Sequence, residues 1–277
     1  MRSLCRGSVL AVALAIFSVR PAAAAEIRVM TSGAFTAAYE ALIPRCGASR
    51  GDSVVTVTTT MGVGEASIPS RLERREAADV VIVDRDALDR LLERALINQG
   101  SRVDLARSVI GVAVKAGTPR PDISTVDAFR RVLLSPASIA YSASVSGDYL
   151  TNEVFQRLGV ADQLVPKSRR IVGERVGAVV ARGEAEIGFQ QVSELLPISG
   201  LDYIGPLPTE LQKVTVFAAG VAATSTAPER AMEFVACLAS RESAATVGAS
   251  GLEPRYPVPE LRPEFRRLSH VGPFLEK

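Results

Sequence analysis

The sequence is poor in histidine and lysine, and both shortages narrow the functions open to it. His270 is the only histidine among 277 residues, and it stands in a C-terminal segment rich in proline and arginine. A histidine-based metal site or a serine–histidine triad is therefore not expected. Only four lysines are present, so arginine is the main cation. Arginine forks suit carboxylates and other oxyanions, although a GC-rich genome would produce the same bias.

Several sequence motifs are also missing. The chain has no Walker loop and no CxxC pair. Residues 62–67, GVGEAS, imitate part of a dinucleotide fingerprint but lack its third glycine, so we predict no cofactor. The 32 basic residues nearly balance the 30 acidic ones, which gives no electrostatic case for a nucleic-acid partner.

The first 25 residues have the pattern of a secretory signal peptide. Arg2 and Arg6 precede an apolar run at 9–19, and four alanines follow at 22–25. A run of about 11 residues is shorter than the roughly 20 that cross a bilayer. We therefore predict cleavage after Ala25, a periplasmic protein and no stable membrane insertion.

Two cysteines, Cys46 and Cys237, remain after this cleavage. An oxidising compartment permits a disulfide between them, and two buried thiols are the alternative. The chain has no long exposed apolar segment, which favours a monomer.

Strand-like and helix-like segments alternate along the rest of the chain. The predicted strands are 26–30, 53–59, 78–83, 110–115, 138–141, a short one near 170, 185–189 and 213–221. The predicted helices are 35–43, 67–75, 86–93, 126–134, 149–158, 175–182 and 228–238. This alternation predicts an α/β fold with parallel sheet, in which ligands bind beyond the carboxyl ends of the strands.

The turn-rich segment after residue 115 and the long β-type run at 213–221 divide this pattern into two Rossmann-like lobes. We predict a first lobe formed by 26–109, a second lobe formed by 110–212, and a return to the first lobe with a C-terminal tail at 213–277. A ligand cleft is expected between the lobes.

Three turns after predicted strands combine hydroxyls with glycine just before a helix, at 31–35, 60–67 and 141–149. Each can point N–H and O–H donors at an anion, although each can equally be an ordinary capped helix start. Their occurrence in both lobes favours one shared anion site. The predicted donors are Ser32, Gly33, Thr60, Met61, Gly62, Ser144, Ser146 and Gly147.

Four further residues are weaker candidates. Arg71 can clamp a carboxylate, although exposed helix arginines are common. Gln191 can bind a ligand or bridge the two lobes. Glu65 and Glu174 can move a proton, although acids at helix starts usually only complement the helix dipole.

With these strands and turns, and with LeuGly at 158–159 and AlaGluIleGlyPhe at 185–189, the chain resembles type II periplasmic binding proteins, most closely their molybdate-binding branch. The resemblance covers nearly all of 26–255. It implies two α/β lobes joined by two crossovers that close like a hinge over a small anion, with an ABC importer permease as a possible partner. It also implies backbone donors at Ser146, Gly147 and Gly173.

The chain departs from that branch at positions that matter for the ligand. Ala34 stands where the family has its first serine, and Gln191 stands where it has a tyrosine. We therefore expect an organic polycarboxylate more than molybdate. The variant pattern also resembles aconitate isomerases, which implies, as the alternative to solute capture, an enzyme that interconverts cis- and trans-aconitate.

Overall fold

The computed structural model of the protein describes residues 26–48, 51–57, 59 and 64–255. The predicted signal peptide and His270 lie outside these residues. The strands are β1 (Glu26–Thr31), β2 (Ser53–Val57), β3 (Val80–Asp84), β4 (Val103–Lys115), β5 (Ile139–Ser142), β6 (Ser168–Ile171), β7 (Ile187–Gln191), β8 (Leu201–Pro206), β9 (Val214–Val221) and β10 (Glu253–Pro254).

The helices alternate with these strands, in agreement with the predicted α/β class. They are α1 (Thr36–Ala48), α2 (Ile68–Glu73), α3 (Arg85–Glu93), α4 (Val126–Leu134), α5 (Val145–Tyr149), α6 (Phe155–Arg157), α7 (Ala161–Leu164), α8 (Val176–Ala181), α9 (Val192–Leu195), α10 (Pro228–Leu238) and α11 (Ala244–Ala249). A π-helical turn at Leu150–Val154 joins α5 to α6, and a 3₁₀ turn at Gly33–Phe35 precedes α1. None of the helices in the described ranges is long and apolar enough to cross a membrane.

The strands form one mixed sheet in the order β2-β1-β3-β9-β4-β7-β5-β6, and β8 and β10 pair with β4 outside this path. β1 runs parallel to β2 and β3, and β5 runs parallel to β6 and β7. β9 and β4 are antiparallel to their neighbours in the centre. We call β1, β2, β3 and β9 the first half of the sheet, and β5 to β8 the second half.

Strand β4 belongs to both halves of the sheet. Its residues Val103 to Val109 pair with β9, whereas Ile110 to Lys115 pair with β7 and β8. The change of partner therefore falls inside one continuous strand. β4 is also longer than the sequence predicted, because Asp104 and Arg107 interrupt the apolar pattern at its start.

The first half of the sheet is covered on both faces. On one face α1 and α10 pack with Tyr39 edge-on to Phe234, the ring centroids 6.3 Å apart. Cys46 and Cys237 form a disulfide between these two helices, which resolves the alternative that the sequence left open. On the other face α2 and α3 bury Ile68 and Leu88. Each such side chain stabilises the fold by about 1.5–3 kcal/mol relative to its exposure.

The second half has a separate hydrophobic core. Phe129 of α4 lies edge-on to Phe189 of β7, with ring centroids 5.9 Å apart, and α5 to α7 complete this side. Val176 and Val180 of α8 cover the opposite face. With a core on each side of the central strands, the two halves leave a cleft between them.

Candidate functional site: a cleft between the two halves of the sheet

A cleft of about 860 Å³ lies where the turns following the parallel strands of both halves face one another. It is lined by residues at the ends of β1 and β3 in the first half and at the ends of β5, β6 and β7 in the second half. This is the position that parallel strand topology favours for ligands. The volume lies within the usual range of small-molecule sites.

At the end of β1, two hydroxyls have no hydrogen-bond partner in the described part of the chain. Thr31 and Ser32 line the cleft, and among the described residues their buried Oγ atoms make no hydrogen bond. Gly33 has φ +77°, and a Cβ there would lie 2.9 Å from the ring of Phe217. The glycine therefore allows a left-handed turn in tight contact with β9. A buried hydroxyl without a partner is costly, so this turn is suited to a ligand that accepts a hydrogen bond.

The turn after β5 is built from three serines whose hydroxyls bond to one another. Ser142 Oγ lies 2.8 Å from Ser144 Oγ and 3.0 Å from Ser146 Oγ, and the last two are 3.2 Å apart. All three residues line the cleft. Gly147 does not line it; a Cβ at Gly147 would lie 1.8 Å from the Ser142 carbonyl oxygen, so this close approach of the backbone requires glycine.

Only part of the turn after β2 is described. Thr59 lines the cleft and its hydroxyl donates to the Thr31 carbonyl at 2.8 Å. Ser67 caps α2 by accepting from the Ser70 amide, and Pro69 stands in the first turn of that helix. The predicted donors Thr60, Met61 and Gly62 lie outside the described residues.

Gln191 joins the two central strands of the sheet. The Ser108 hydroxyl of β4 donates to Gln191 Oε1 at 2.6 Å, and Gln191 Nε2 donates to Thr215 Oγ1 of β9 at 3.3 Å. The side chain is 3% exposed and borders the cleft. Of the two roles the sequence suggests, bridging is the one that its hydrogen bonds show.

The neighbouring Gln190 holds an acidic group that the sequence analysis missed. Gln190 Oε1 accepts from the Val176 amide at 2.8 Å, so its Nε2 faces Glu194 and donates to Glu194 Oε1 at 3.1 Å. Glu194 lies on α9 and lines the cleft. Burial raises the pKa of this carboxyl to about 7, against the opposing effects of Arg175 and the Gln190 hydrogen bond.

The arginines of the cleft differ in whether they have partners. Arg170 pairs with Asp148 at 3.3 Å, and Arg94 pairs with Glu73. By contrast, the guanidiniums of Arg90 in α3 and Arg175 before α8 make no ion pair or hydrogen bond with any other described residue. They lie in opposite halves, so the cleft has one uncommitted guanidinium on each side.

The sequence-predicted residues are thus only partly brought together. The cleft lining includes Ser32, Gly33, Ser144, Ser146, Glu174 and Gln191. Glu174 accepts from Arg182 at 3.0 Å. Arg71 and Glu65 are not in the lining; the Arg71 guanidinium bonds to Glu76 at 2.9 Å, and Glu65 is exposed.

This architecture, a mixed sheet in two halves joined by β4 around a cleft, is that of the type II periplasmic binding proteins. The periplasmic molybdate-binding protein of Azotobacter vinelandii matches with a TM-score of 0.66 at 20% identity, over 83% of this chain and 99% of that one. The sulfate-binding protein of Mycobacterium tuberculosis matches with a TM-score of 0.66 at 19% identity, over 84% of this chain and 88% of that one. At these identities the likeness concerns the fold.

The chain belongs to the bacterial extracellular solute-binding proteins, whose family model matches residues 27–253. The family's extracellular location agrees with the export predicted from the N-terminus. A relative from Pseudomonas sp, named aconitate isomerase, is 38% identical over 253 residues, which are 91% of this chain and 96% of that protein. Both predicted resemblances, to the type II fold and to the aconitate isomerase pattern, are thereby confirmed.

Proposed function

We propose that the protein binds aconitate in the cleft and interconverts its cis and trans isomers. The observation that carries this proposal is the pair of uncommitted guanidiniums, Arg90 and Arg175, on opposite sides of one cleft. The 38% identical relative, over nearly its whole length, supports aconitate as the ligand.

Aconitate carries three carboxylates on a short carbon chain, so it matches a site with separated cationic and hydroxyl donors. Two carboxylates can pair with Arg90 and Arg175, because guanidinium forks suit planar carboxylates. The free hydroxyls of Thr31 and Ser32 can donate to the third. Donors in both halves make the ligand a bridge between them, so binding would favour a closed cleft.

The reaction is an allylic proton shift. A base removes a proton from the methylene carbon, the electron pair moves along the skeleton as the double bond shifts, and a proton returns to the former vinylic carbon. One C–H bond breaks and one forms, so no oxidant or reductant is needed. Cations on the flanking carboxylates stabilise the carbanion between these two steps.

A second candidate function is capture of a small polycarboxylate for an ABC importer, without turnover. Membership of the extracellular solute-binding family favours it. This function needs the same two arginines, Arg90 and Arg175, but no proton carrier. Both candidate functions therefore predict the same binding residues.

One experiment separates the two. The protein is incubated with trans-aconitate, and formation of the cis isomer is followed by proton NMR, with the Arg90→Ala/Arg175→Ala double variant as the control. We expect turnover by the wild type and none by the double variant. Stoichiometric binding without turnover would leave solute capture as the function. Thermal shifts with citrate, sulfate, molybdate and both aconitates rank the ligands, because a ligand at 100 times its Kd adds about 2.7 kcal/mol of stability.

A further inference from the structure

We propose that Glu194 is the group that carries the proton between the two carbon atoms of the substrate, and that Gln190 is its positioning residue. This inference rests on the proposed isomerase function. It concerns a residue outside the glycine and serine turns that mark the site in the sequence.

The first argument is how the carboxyl group is held. The Val176 amide fixes the Gln190 side chain through its oxygen, and the amide nitrogen then holds Glu194 Oε1. Among the described residues no donor bonds to Glu194 Oε2. One oxygen is therefore anchored while the other remains available to a ligand in the cleft that Glu194 lines.

The second argument is the place of Arg175 relative to this carboxyl group. Arg175 immediately precedes the Val176 amide, and its charge lowers the pKa of Glu194, yet the two side chains form no salt bridge. A substrate carboxylate bound by Arg175 brings its own α-carbon toward Glu194. The proton to be moved is bonded to such an α-carbon, so the clamp and the base act on neighbouring atoms.

The third argument is that α9 packs against the 3₁₀ turn Gly33–Phe35 of the first half. The helix that carries Glu194 therefore lies beside this turn, and Glu194 lines the same cleft as Ser32, whose hydroxyl has no partner among the described residues. A substrate that reaches Glu194 also reaches this donor, which can stabilise negative charge on a second carboxylate.

Few charges act on Glu194 from its surroundings. The other elements packed on α9 are β4, β7, α8 and β8. In β4, Asp104 pairs with Arg85 and Arg107 pairs with Glu253. Lys115, at the end of β4, lies beside Gly183. In β8, Asp202 accepts a hydrogen bond from the Gly117 amide. The described parts of β7, α8 and the 3₁₀ turn contain no charged residue. Arg175 is thus the cation that tunes this carboxyl group.

Burial holds the pKa of Glu194 near 7, where a carboxylate can both take and return a proton close to neutral pH. Glu194 must be ionised to remove the first proton. We therefore expect kcat/KM of the wild type to rise with pH through about 7 and to level off above it.

The test is Glu194→Gln, with Glu210→Gln as the matched control, because Glu210 is an exposed residue away from the cleft. We expect Glu194→Gln to lower kcat by about 10²–10⁴-fold. Its Kd for trans-aconitate, measured by calorimetry, changes by less than about tenfold. We expect Glu210→Gln to match the wild type. Glu194→Asp retains a carboxyl group, so it keeps part of the activity and the rise with pH; it replaces Glu194→Gln if that variant fails to fold.

The effect of Gln190→Ala distinguishes positioning from a purely structural role. We expect it to move the pH midpoint of kcat/KM upward, because a hydrogen bond that favours the ionised carboxylate is lost.

The outcomes separate this inference from the function on which it rests. A wild-type protein that binds aconitate but never isomerises it overturns the isomerase proposal, and the role of Glu194 with it. An active wild type with an equally active Glu194→Gln variant overturns only the assignment to Glu194. A Glu194→Gln variant that loses binding together with turnover also overturns it, since the residue would then serve affinity.

Discussion

The turn after β1 and the turn after β5 contain similar residues but satisfy their polar groups in opposite ways. In the second half, Ser142, Ser144 and Ser146 share hydrogen bonds with one another. In the first half, the hydroxyls of Thr31 and Ser32 have no partner among the described residues. The serine cluster is thus hydrogen-bonded without a ligand, whereas under the proposed function the first turn gains its hydrogen bonds from the ligand. Under that proposal the second half sets the position of the ligand and the first half closes onto it.

Gly147→Ala breaks the second of these turns, and we expect the largest effect from it. A methyl group would lie 1.8 Å from the Ser142 carbonyl oxygen, so the backbone must move. We expect a loss of about 3 kcal/mol or more in the free energy of unfolding, measured in urea. Gly205→Ala is the control, because the nearest atom would lie at 3.5 Å. Equal stability of the two variants would contradict the close approach.

Removal of the disulfide tests how much one link in the first half contributes to stability. The Cys46→Ser/Cys237→Ser variant loses the link between α1 and α10. We expect a loss of about 2–4 kcal/mol in the free energy of unfolding, because the link restricts the unfolded chain. Neither cysteine lines the cleft, so aconitate affinity in the still folded variant should be unchanged. A variant that is stable but binds poorly would show that this link shapes the site.

Arg175→Ala tests how much a cleft arginine of the second half contributes to ligand binding. We expect a loss of about 1.5–3 kcal/mol in binding, or roughly 10–150-fold in Kd, because a charged hydrogen-bond donor is removed. Arg90→Ala should lose a similar amount if both halves hold carboxylates. Arg182→Ala is the control, since Arg182 pairs with Glu174 and Glu184 and is not in the cleft lining. A Kd unchanged in Arg175→Ala, measured by calorimetry, would argue against the clamp.

Ser32→Ala and Ser144→Ala should have the smallest effects, and we expect them to affect unfolding stability and ligand binding differently. Ser32→Ala removes an unpaired hydroxyl, so we expect unfolding stability to stay the same or rise, and aconitate binding to weaken by about 0.5–1.5 kcal/mol. Ser144→Ala removes a shared hydrogen bond, so unfolding stability should fall by about the same amount. Chemical denaturation and calorimetry on both variants measure the two quantities. The opposite pattern would reverse the roles assigned to the turns.

The sequence predicts the local features of this molecule well. A run of apolar β-branched residues marks β3, spaced apolar residues mark β1 and β7, and glycine with hydroxyl residues marks the turns after β1 and β5. These signals are local, because strand periodicity and turn chemistry depend on neighbouring residues. Helix α5 begins at Val145, before the predicted start at residue 149, since serine, valine and glycine have low helix propensity and conceal its first turn.

The ion pairs and the burial of the charged residues could not be predicted from the sequence in the same way. Arg71 and Arg175 look alike in sequence, yet Arg71 bonds to Glu76 whereas Arg175 remains uncommitted in the cleft. Glu194 depends on Gln190, whose orientation is fixed by the amide of Val176, 14 residues away. Pairing and burial of this kind follow from tertiary contacts. One local signal was available: an acid three residues after a buried strand that ends in two glutamines.

Strand β4 has a consequence for how the molecule unfolds. Its pairing passes from β9 to β7 and β8 within one strand, so loss of either core removes partners from a strand that the other core needs. The two cores should therefore melt in a single calorimetric transition, and a ligand bound in the cleft would raise the melting temperature of both together.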